Sequence, residues 1–539
     1  MSLLRQSWGQ AWQQTWRVAM PAIAVPAFAL LAAACSVENP EHYDVYDQAA
    51  ATRLFSAGLQ DIDEIYIDQV EMDELSLAAL NNLSSLDKRL SAELRGRQVA
   101  LLVDQQETGL FEVPAGDDIR GWAYLTASAV DNGRSHSEAL QTASSEDIYE
   151  AVFDGMVSEL DQFSRYASRD EARDNQASRE GFGGIGVRIR LMEKGVEVLQ
   201  VMEETPAERA GMKDGDVITL IEGQDVLPMD QREVVDRLRG PVGSEVVVTV
   251  LRGSQSPFPI TVTRGHVVPQ TVSYKREGNA AYIRVSGFNQ STTRSLEKKI
   301  RLAKQQIGSN LRGIVLDLRG NPGGLLDQSV SVSDLFLGDT RIVSTHGRHP
   351  NSHQYFEGND GDVAEGLPLV ILINGGSASA SELVAAALQD GRRAVVIGSN
   401  SYGKGSVQTV FRLNNGGEMT ITWARFHAPS GYALAHRGVQ PDLCTSGEVT
   451  MADLRRELAT PIRKVRLNID ESVDQPPVSE EDAEAIRARC PVTDEETALD
   501  LEAALLLIEN PGLYAEALGR TSGNLAGRGA EPLTTSSLN

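Results

Sequence analysis

Two residues of this 539-residue chain could do nucleophilic chemistry together. Ser379 lies in Gly375-Gly376-Ser377-Ala378-Ser379-Ala380-Ser381-Glu382, and Lys404 in Tyr402-Gly403-Lys404-Gly405-Ser406. A serine hydroxyl is a weak nucleophile that needs a neighbouring base, and a lysine kept neutral by burial can be that base where no histidine serves. Each residue follows an apolar run, Leu367 to Ile373 and Ala394 to Ile397, that reads as a buried strand. Both side chains should therefore emerge at strand ends on one edge of a sheet, where α/β folds place their active sites. The chemistry suggested is hydrolysis through a Ser-Lys pair.

Both residues also have ordinary readings. Ser379-Ala-Ser-Glu382 fits a capping box at the start of a helix whose Leu383, Val384, Ala387 and Leu388 face a core. The two readings are compatible, because a helix N-terminus lends its free N–H groups and dipole to a developing oxyanion. Asp317-Leu-Arg-Gly-Asn-Pro-Gly-Gly324 reads either as a tight strand-to-helix turn or as a backbone that approaches a substrate carbonyl. Gly323 and Gly324 are both candidate donors there.

Lys404 has two decoys. Gly398-Ser-Asn-Ser-Tyr-Gly-Lys404 nearly completes a phosphate loop, but Gly405 stands where the Mg²⁺-binding hydroxyl belongs, and Val407 to Leu413 alternates like a strand. Ser401-Tyr-Gly-Lys404 has S-x-x-K spacing, which needs a helical turn that Gly403 and Gly405 disfavour, so Ser401 is a reserve nucleophile only. His346, His349 and His353 sit in a Gly, Pro and Asn-containing loop with no helix or acidic partner to fix a metal. His427 and His436 lack a Gly-x-Ser-x-Gly elbow to serve. No metal and no organic cofactor is expected.

The elements around these residues divide the chain. Arg5 and Arg17, the apolar stretch Val18 to Ala34 and the absence of acidic residues before Glu38 make residues 1–34 an export signal, with Pro21 and Pro26 weighing against a membrane anchor. Leu31-Ala-Ala-Ala-Cys35 resembles the lipobox of bacterial lipoproteins, with Ala32 where that pattern prefers a larger residue. Cys35 is then the lipidated first residue, and residues 35–48 form a tether. Cys444 and Cys490 remain as a disulfide pair or as two buried thiols. Residues 49–166 carry leucines at helical spacing (Leu75, Leu77, Leu80, Leu83, Leu86, Leu90) and read as a helical region, followed by a charged linker over 167–180. Residues 181–265 are short strands broken by glycine, and residues 268–445 alternate strand and helix, which implies parallel strands with helical crossovers. Residues 451–518 are acidic and helical, and 519–539 read as a disordered tail. The formal net charge of -25 argues against nucleic acid or an anionic membrane surface as main partner.

From about Ile148 to Thr445 the wording resembles the C-terminal processing peptidases, which join a PDZ domain to a crotonase-like (ClpP/crotonase) catalytic core. The resemblance rests on Gly181-Phe-Gly-Gly-Ile-Gly186, Thr205-Pro-Ala-Glu-Arg-Ala-Gly211, Lys213-Asp-Gly-Asp-Val-Ile218, the Asp317 to Gly324 segment, the serine and lysine segments, and Gly438-Val-Gln-Pro-Asp442. It implies a multidomain fold: a helical N-terminal domain, a small β-rich α+β PDZ domain and an α/β crotonase-like core. It further implies that Ser379 is the nucleophile, Lys404 the base, Gln408 the residue that orients the lysine amine, and the Ala380 N–H one oxyanion donor. The loop Phe182, Gly183, Gly184, Ile185 and Gly186 would receive a peptide's terminal carboxylate, and Arg239 would couple the PDZ domain to the core. Asp390 reads as structural. The partners implied are proteins or peptides with accessible, apolar C-termini and an adaptor protein. The location implied is the bacterial cell envelope, on the periplasmic side, through a lipid anchor. The rival readings are a non-catalytic PDZ scaffold and a cell-wall-directed serine hydrolase.

Overall fold

The computed structural model describes residues 46–359, 361–459 and 477–519. The export signal, Cys35, most of the tether and the tail from residue 520 lie outside the described residues. Among the described residues no helix is long and apolar enough to cross a membrane.

The catalytic half is organised by a six-stranded sheet in the spatial order Val272–Glu277, Ala280–Val285, Gly313–Asp317, Leu369–Ile373, Val395–Gly398, Leu443–Cys444. All pairings after the first hairpin are parallel. The central strands carry no polar side chain but Asp317, at the end of Gly313–Asp317, because both faces are covered. Ile314, Leu316, Leu369, Ile371 and Ile373 face a core made with helices Thr292–Ile307, Leu326–Asp334 and Ala380–Asp390. Val315, Val370, Leu372, Val395 and Ile397 face the C-terminal helices Met451–Ala459, Ala498–Glu509 and Pro511–Leu518 through Leu454, Leu458, Ala504, Leu507 and Ile508. A second sheet runs Gln354–Glu357, Arg341–His346, Glu418–His427, Ser406–Arg412.

Residues 187–263 form their own sheet, ordered Phe258–Thr263, Glu245–Leu251, Val217–Ile221, Gly195–Val201, Val187–Met192, with helix Gln231–Leu238 and a separate valine- and isoleucine-rich core. The glycine-rich loop begins with a short strand, Phe182–Gly184, paired antiparallel with Gly265–Val267.

Two segments depart from the sequence expectation. The N-terminal region holds the expected helices, Gln48–Ile65, Met72–Asn81, Ile119–His136 and Ser145–Ser158, but a three-stranded antiparallel sheet is set among them. Its strands are Leu90–Arg95, Gln98–Val103 and Gln106–Glu112. The cause is local: Val-Ala-Leu-Leu-Val is an apolar run of strand length, and Asp104 and Gln105 both adopt positive φ (51° and 63°), as a tight hairpin turn requires.

The charged segment expected to be a linker is a helix, Arg169–Glu180, opened by a Ser168–Glu171 capping box. It has almost no apolar face. Ion pairs to the helix Gln231–Leu238 and the residue after it hold it: Asp170 with Arg232, Arg173 with Asp236 at 3.0 Å, and Asp174 with Arg239 at 2.8 Å. At its far end Arg179 reaches the buried Glu418 on the second sheet at 2.8 and 2.9 Å.

Candidate active site

Three loops leave the carboxyl ends of three adjacent parallel strands: 318–325 after Gly313–Asp317, 374–379 after Leu369–Ile373, and 399–405 after Val395–Gly398. Ser379 and Lys404 therefore share one sheet edge with the Gly323-Gly324 turn, the arrangement that parallel α/β folds use to gather side chains. The loops are stitched to one another. Ser377 Oγ donates to Leu318 O (2.8 Å), Ser381 Oγ donates to Asn321 O (2.7 Å), and the Ala378 amide donates to the same carbonyl (3.0 Å).

Ser379 is only partly buried, at φ 56° and ψ -116°, directly before helix Ala380–Asp390. A non-glycine residue in this region is strained by about 1–3 kcal/mol and persists only where its surroundings over-determine it. Here they do. The Ser379 amide donates to Glu382 Oε2 at 2.8 Å, and the rest of the serine loop is fixed by the bonds above.

Glu382 holds more than the helix start. Its fully buried carboxylate also accepts from the Lys404 amide (2.9 Å), the Gly403 amide (2.7 Å) and Ser401 Oγ (2.5 Å). Burial raises its pKa, and these four hydrogen bonds oppose the rise. Sequence reasoning missed this role because the capping box explained the residue. Its other three donors stand 19, 21 and 22 positions downstream.

Lys404 Nζ lies 4.8 Å from the ring centroid of Phe163. Burial, helped by the charge of Arg165, lowers its pKa from the ordinary 10.5, against the opposing charges of Asp161 and Glu382. A cavity of ≈ 650 Å³ opens beside the lysine loop, lined among others by Phe163, Tyr402, Ser406, Arg425 and Arg487.

The Gln408 side chain does not hydrogen-bond Lys404. Its Nε2 donates to Ser406 Oγ (2.8 Å) and Thr422 Oγ1 (3.1 Å), which takes both donors and leaves Oε1 as an open acceptor. The simple i, i+4 alternation fails because a β-bulge falls between Val407 and Gln408.

The two candidate glycines are not equivalent. The Gly323 amide is taken by Asn321 Oδ1 at 2.9 Å, whereas the Gly324 amide has no partner among the described residues. Gly323 is needed for close approach: at φ 106°, a Cβ there would lie 2.9 Å from Ser379 Cβ and 3.1 Å from the Ala380 nitrogen. Ala380 N–H, at the first helical position, has no intrahelical acceptor.

Ser401 is fully buried, donates to Glu382 and accepts from the Val439 amide (2.7 Å), so the reserve nucleophile has no access to a substrate. Asp390, half-buried at the end of the serine helix, accepts from the Ser430 amide (3.0 Å) and Ser430 Oγ (2.6 Å), a structural tie. His346 and His353 face each other with Nδ1 atoms 3.2 Å apart, and His427 packs edge-on against His346. Among the described residues no group of three His, Cys, Asp or Glu side chains is arranged to hold a metal.

At the glycine-rich loop the carbonyls of Gly183, Ile185 and Gly186 are taken by the amides of Gly240, Ala207 and Met202. The amides of Ile185 and Gly186 have no backbone partner among the described residues. The Arg239 guanidinium lies over the Phe182 ring, 4.5 Å from its centroid.

The model of peptidase family S41 matches residues 279–445, and that of a PDZ domain matches 197–252. The carboxy-terminal-processing protease of Bartonella bacilliformis is 40% identical over 299 residues, which cover 55% of this chain and 69% of that protein. The chain belongs to peptidase family S41. It is a serine-type peptidase with a PDZ domain, in the family of C-terminal processing proteases. A CtpA-like serine protease of Staphylococcus haemolyticus is 36% identical over 298 residues, 54% of this chain and 59% of the relative. Among solved structures, the photosystem II D1 C-terminal processing protease matches 76% of this chain and 96% of its own at 25% identity and a TM-score of 0.39.

Proposed function

We propose that the chain is an exported, lipid-anchored endopeptidase that cuts proteins near their C-termini by a Ser-Lys-Gln mechanism. Neutral Lys404 takes the Ser379 hydroxyl proton as Oγ attacks the scissile carbonyl. The oxyanion is received by the amides of Ala380 and Gly324; Gly323 serves by bringing the backbone close rather than by donating. The lysine returns its proton to the leaving amine and then activates water against the acyl-enzyme. Gln408, whose amide Ser406 and Thr422 fix, keeps Oε1 open and orients the lysine amine in the reacting complex, a contact that the resting site does not make. No cofactor enters the reaction.

The free amides of Ile185 and Gly186 receive the substrate's terminal carboxylate, with Phe182, Gly183 and Gly184 shaping the loop. Arg239 couples that loop to the core through Asp174 and the helix that Arg179 ties to Glu418. The catalytic sheet with helices on both faces is read as crotonase-like, at residues 268–445, beside a PDZ domain at 181–265. Residues 1–34 are the export signal, and Cys35 carries the lipid on the periplasmic side of the envelope. Substrates are unfolded proteins with apolar tails, with an adaptor protein as a further partner.

The observation that carries this reading is a strained, partly exposed serine and a lysine whose pKa is lowered by burial, on loops that leave adjacent parallel strands at one sheet edge beside a turn with one free amide. The test of recognition compares one peptide with a free and an amidated C-terminus. Slower cleavage of the amide, with unchanged reactivity of Ser379 towards a small acylating reagent, supports tail capture; equal rates reject it.

A further inference from the structure

Ser379 and Lys404 lie on loops that follow different strands, and among the described residues no disulfide joins those two loops. Among the described residues, the side chain that hydrogen-bonds both backbones is Glu382. Each of its oxygens accepts two hydrogen bonds: Oε1 from Ser401 Oγ (2.5 Å) and the Gly403 amide (2.7 Å), Oε2 from the Ser379 amide (2.8 Å) and the Lys404 amide (2.9 Å). Only donors face it. Three of the four partners are backbone amides, which can only donate, so this fully buried side chain is gripped as an acceptor on both of its oxygens. Ser401 is held in turn by the Val439 amide at 2.7 Å, so the carboxylate also reaches the segment that precedes the last strand of the sheet.

We propose that Glu382 is a positioning residue for the reaction: its carboxylate clamps the nucleophile's backbone and the base's backbone into one register. This rests on the assignment of Ser379 and Lys404 above. Both partners of the proton transfer are then placed from a single point. An error in one loop cannot occur without breaking a charge-assisted hydrogen bond in the other. The clamp also holds Ser379 at its positive φ, because the amide it grips is that of the strained residue itself. A helix cap alone explains one of the four bonds.

The groups that face Lys404 give the clamp an electrical consequence. Burial and Arg165 favour the neutral amine, while Asp161 and Glu382 favour the ammonium. Neutralising Glu382 therefore removes one of two carboxylates that hold the proton on Lys404, and the amine should deprotonate at lower pH.

The test is Glu382→Gln in the full chain, measured by steady-state cleavage of an unfolded protein from pH 5 to 10. The glutamine keeps the shape, but its NH₂ opposes an N–H. The expected result is a fall in kcat of about 10- to 100-fold, the usual consequence of a small misplacement of reacting groups, with KM within about threefold. The acid limb of the kcat profile should also move to lower pH. A purely structural role would lower activity without moving that limb. An unmoved limb, or kcat within about twofold of the native enzyme, would overturn the proposal. If Glu382→Gln does not fold, Ser401→Ala decides: it removes one of the four donors, and kcat should fall about three- to tenfold at unchanged KM, whereas unchanged kcat overturns the clamp. Ser379→Ala and Lys404→Arg measured alongside separate the two claims. Substantial activity in either defeats the dyad, while their inactivity beside a native-like Glu382→Gln profile defeats only the clamp.

Discussion

Two ionic networks in this molecule use the same residue types for opposite ends. Beneath the catalytic loops, Asp317, Arg319 and Asp500 have side chains only 0%, 6% and 5% exposed, with Arg319 donating to Asp317 at 2.7 Å and to Asp500 at 2.8 Å. At the PDZ joint, Arg173–Asp236 and Arg232–Asp170 are 51% and 41%, and 60% and 55%, exposed. The buried network ties the Asp317 to Gly324 turn to the C-terminal helix Ala498–Glu509, and Tyr282 and Thr445 complete it with hydrogen bonds to Asp317 and Asp500. The exposed one holds a helix with almost no apolar face. A buried pair cannot be opened without stranding a charge, whereas exposed pairs contribute little each and weaken in salt. The oxyanion turn is thus braced by pairs that are costly to open, and the PDZ side of the helix Arg169–Glu180 by pairs that open at little cost.

The largest effect is expected at Arg319. Arg319→Ala should cost about 3–5 kcal/mol of unfolding free energy, because it takes from the buried Asp317 and Asp500 the guanidinium that pairs with both. A chemical-denaturation midpoint close to the native one would contradict the rigid half of the contrast. The pH dependence has a definite sign. Burial alone would raise the Asp317 pKa, but Arg319 reverses this and leaves it below 3.8. Its stabilisation is therefore complete above about pH 4 and is lost as pH falls through the depressed folded-state value.

A second brace sharpens the same contrast. Cys444 and Cys490 are joined, with Cα atoms 5.7 Å apart, although they stand 46 positions apart in the chain. Beyond Cys490, Thr493 O accepts from the Gly375 amide of the serine loop (2.8 Å) and from Ser399 Oγ beside the lysine loop (3.0 Å), while before it Arg487 donates to Tyr402 O (3.0 Å). Reduction, or the double replacement Cys444→Ala with Cys490→Ala, should lower stability by about 2–4 kcal/mol and lower kcat more than it raises KM. Thermal melts and kinetics with and without dithiothreitol read both; no change in either would show the strap to be ornamental.

The movable half predicts smaller effects. Arg173→Ala or Arg232→Ala should each change global stability by less than about 1 kcal/mol. Raising ionic strength should loosen the helix Arg169–Glu180 before the core, read as faster amide exchange there at half-molar salt. Protection in that helix equal to that of Ala380–Asp390 would place it with the rigid part.

What the sequence made legible follows the reach of its patterns. The parallel strands, the serine helix and the turn at Gly323-Gly324 were readable because apolar runs and glycine-rich turns are local signals. The helix Arg169–Glu180 was not, since its stabilisers are supplied by residues such as Asp236, 63 positions after Arg173. The hairpin at Asp104-Gln105 was hidden by leucine spacing that ends where the first strand begins. Spacing could not place two cysteines within bridging distance, and the choice between Gly323 and Gly324 depended on where the Asn321 side chain turned. Glu382 was legible as a cap and illegible as a clamp, for its other donors arrive on the next strand's loop.

Lys404, its pKa lowered by burial, is proposed as the base for Ser379. Single-turnover cleavage from pH 5 to 10 tests it most directly, using the native enzyme, Ser379→Ala and Lys404→Arg. The native rate should rise with pH to a plateau reached below the ordinary lysine value of about 10.4. Both variants should fold and lose at least about 10³-fold in rate, because arginine cannot give up its proton at these pH values. A native rate independent of pH across the range, or Lys404→Arg cleaving within about tenfold of native, would contradict the account.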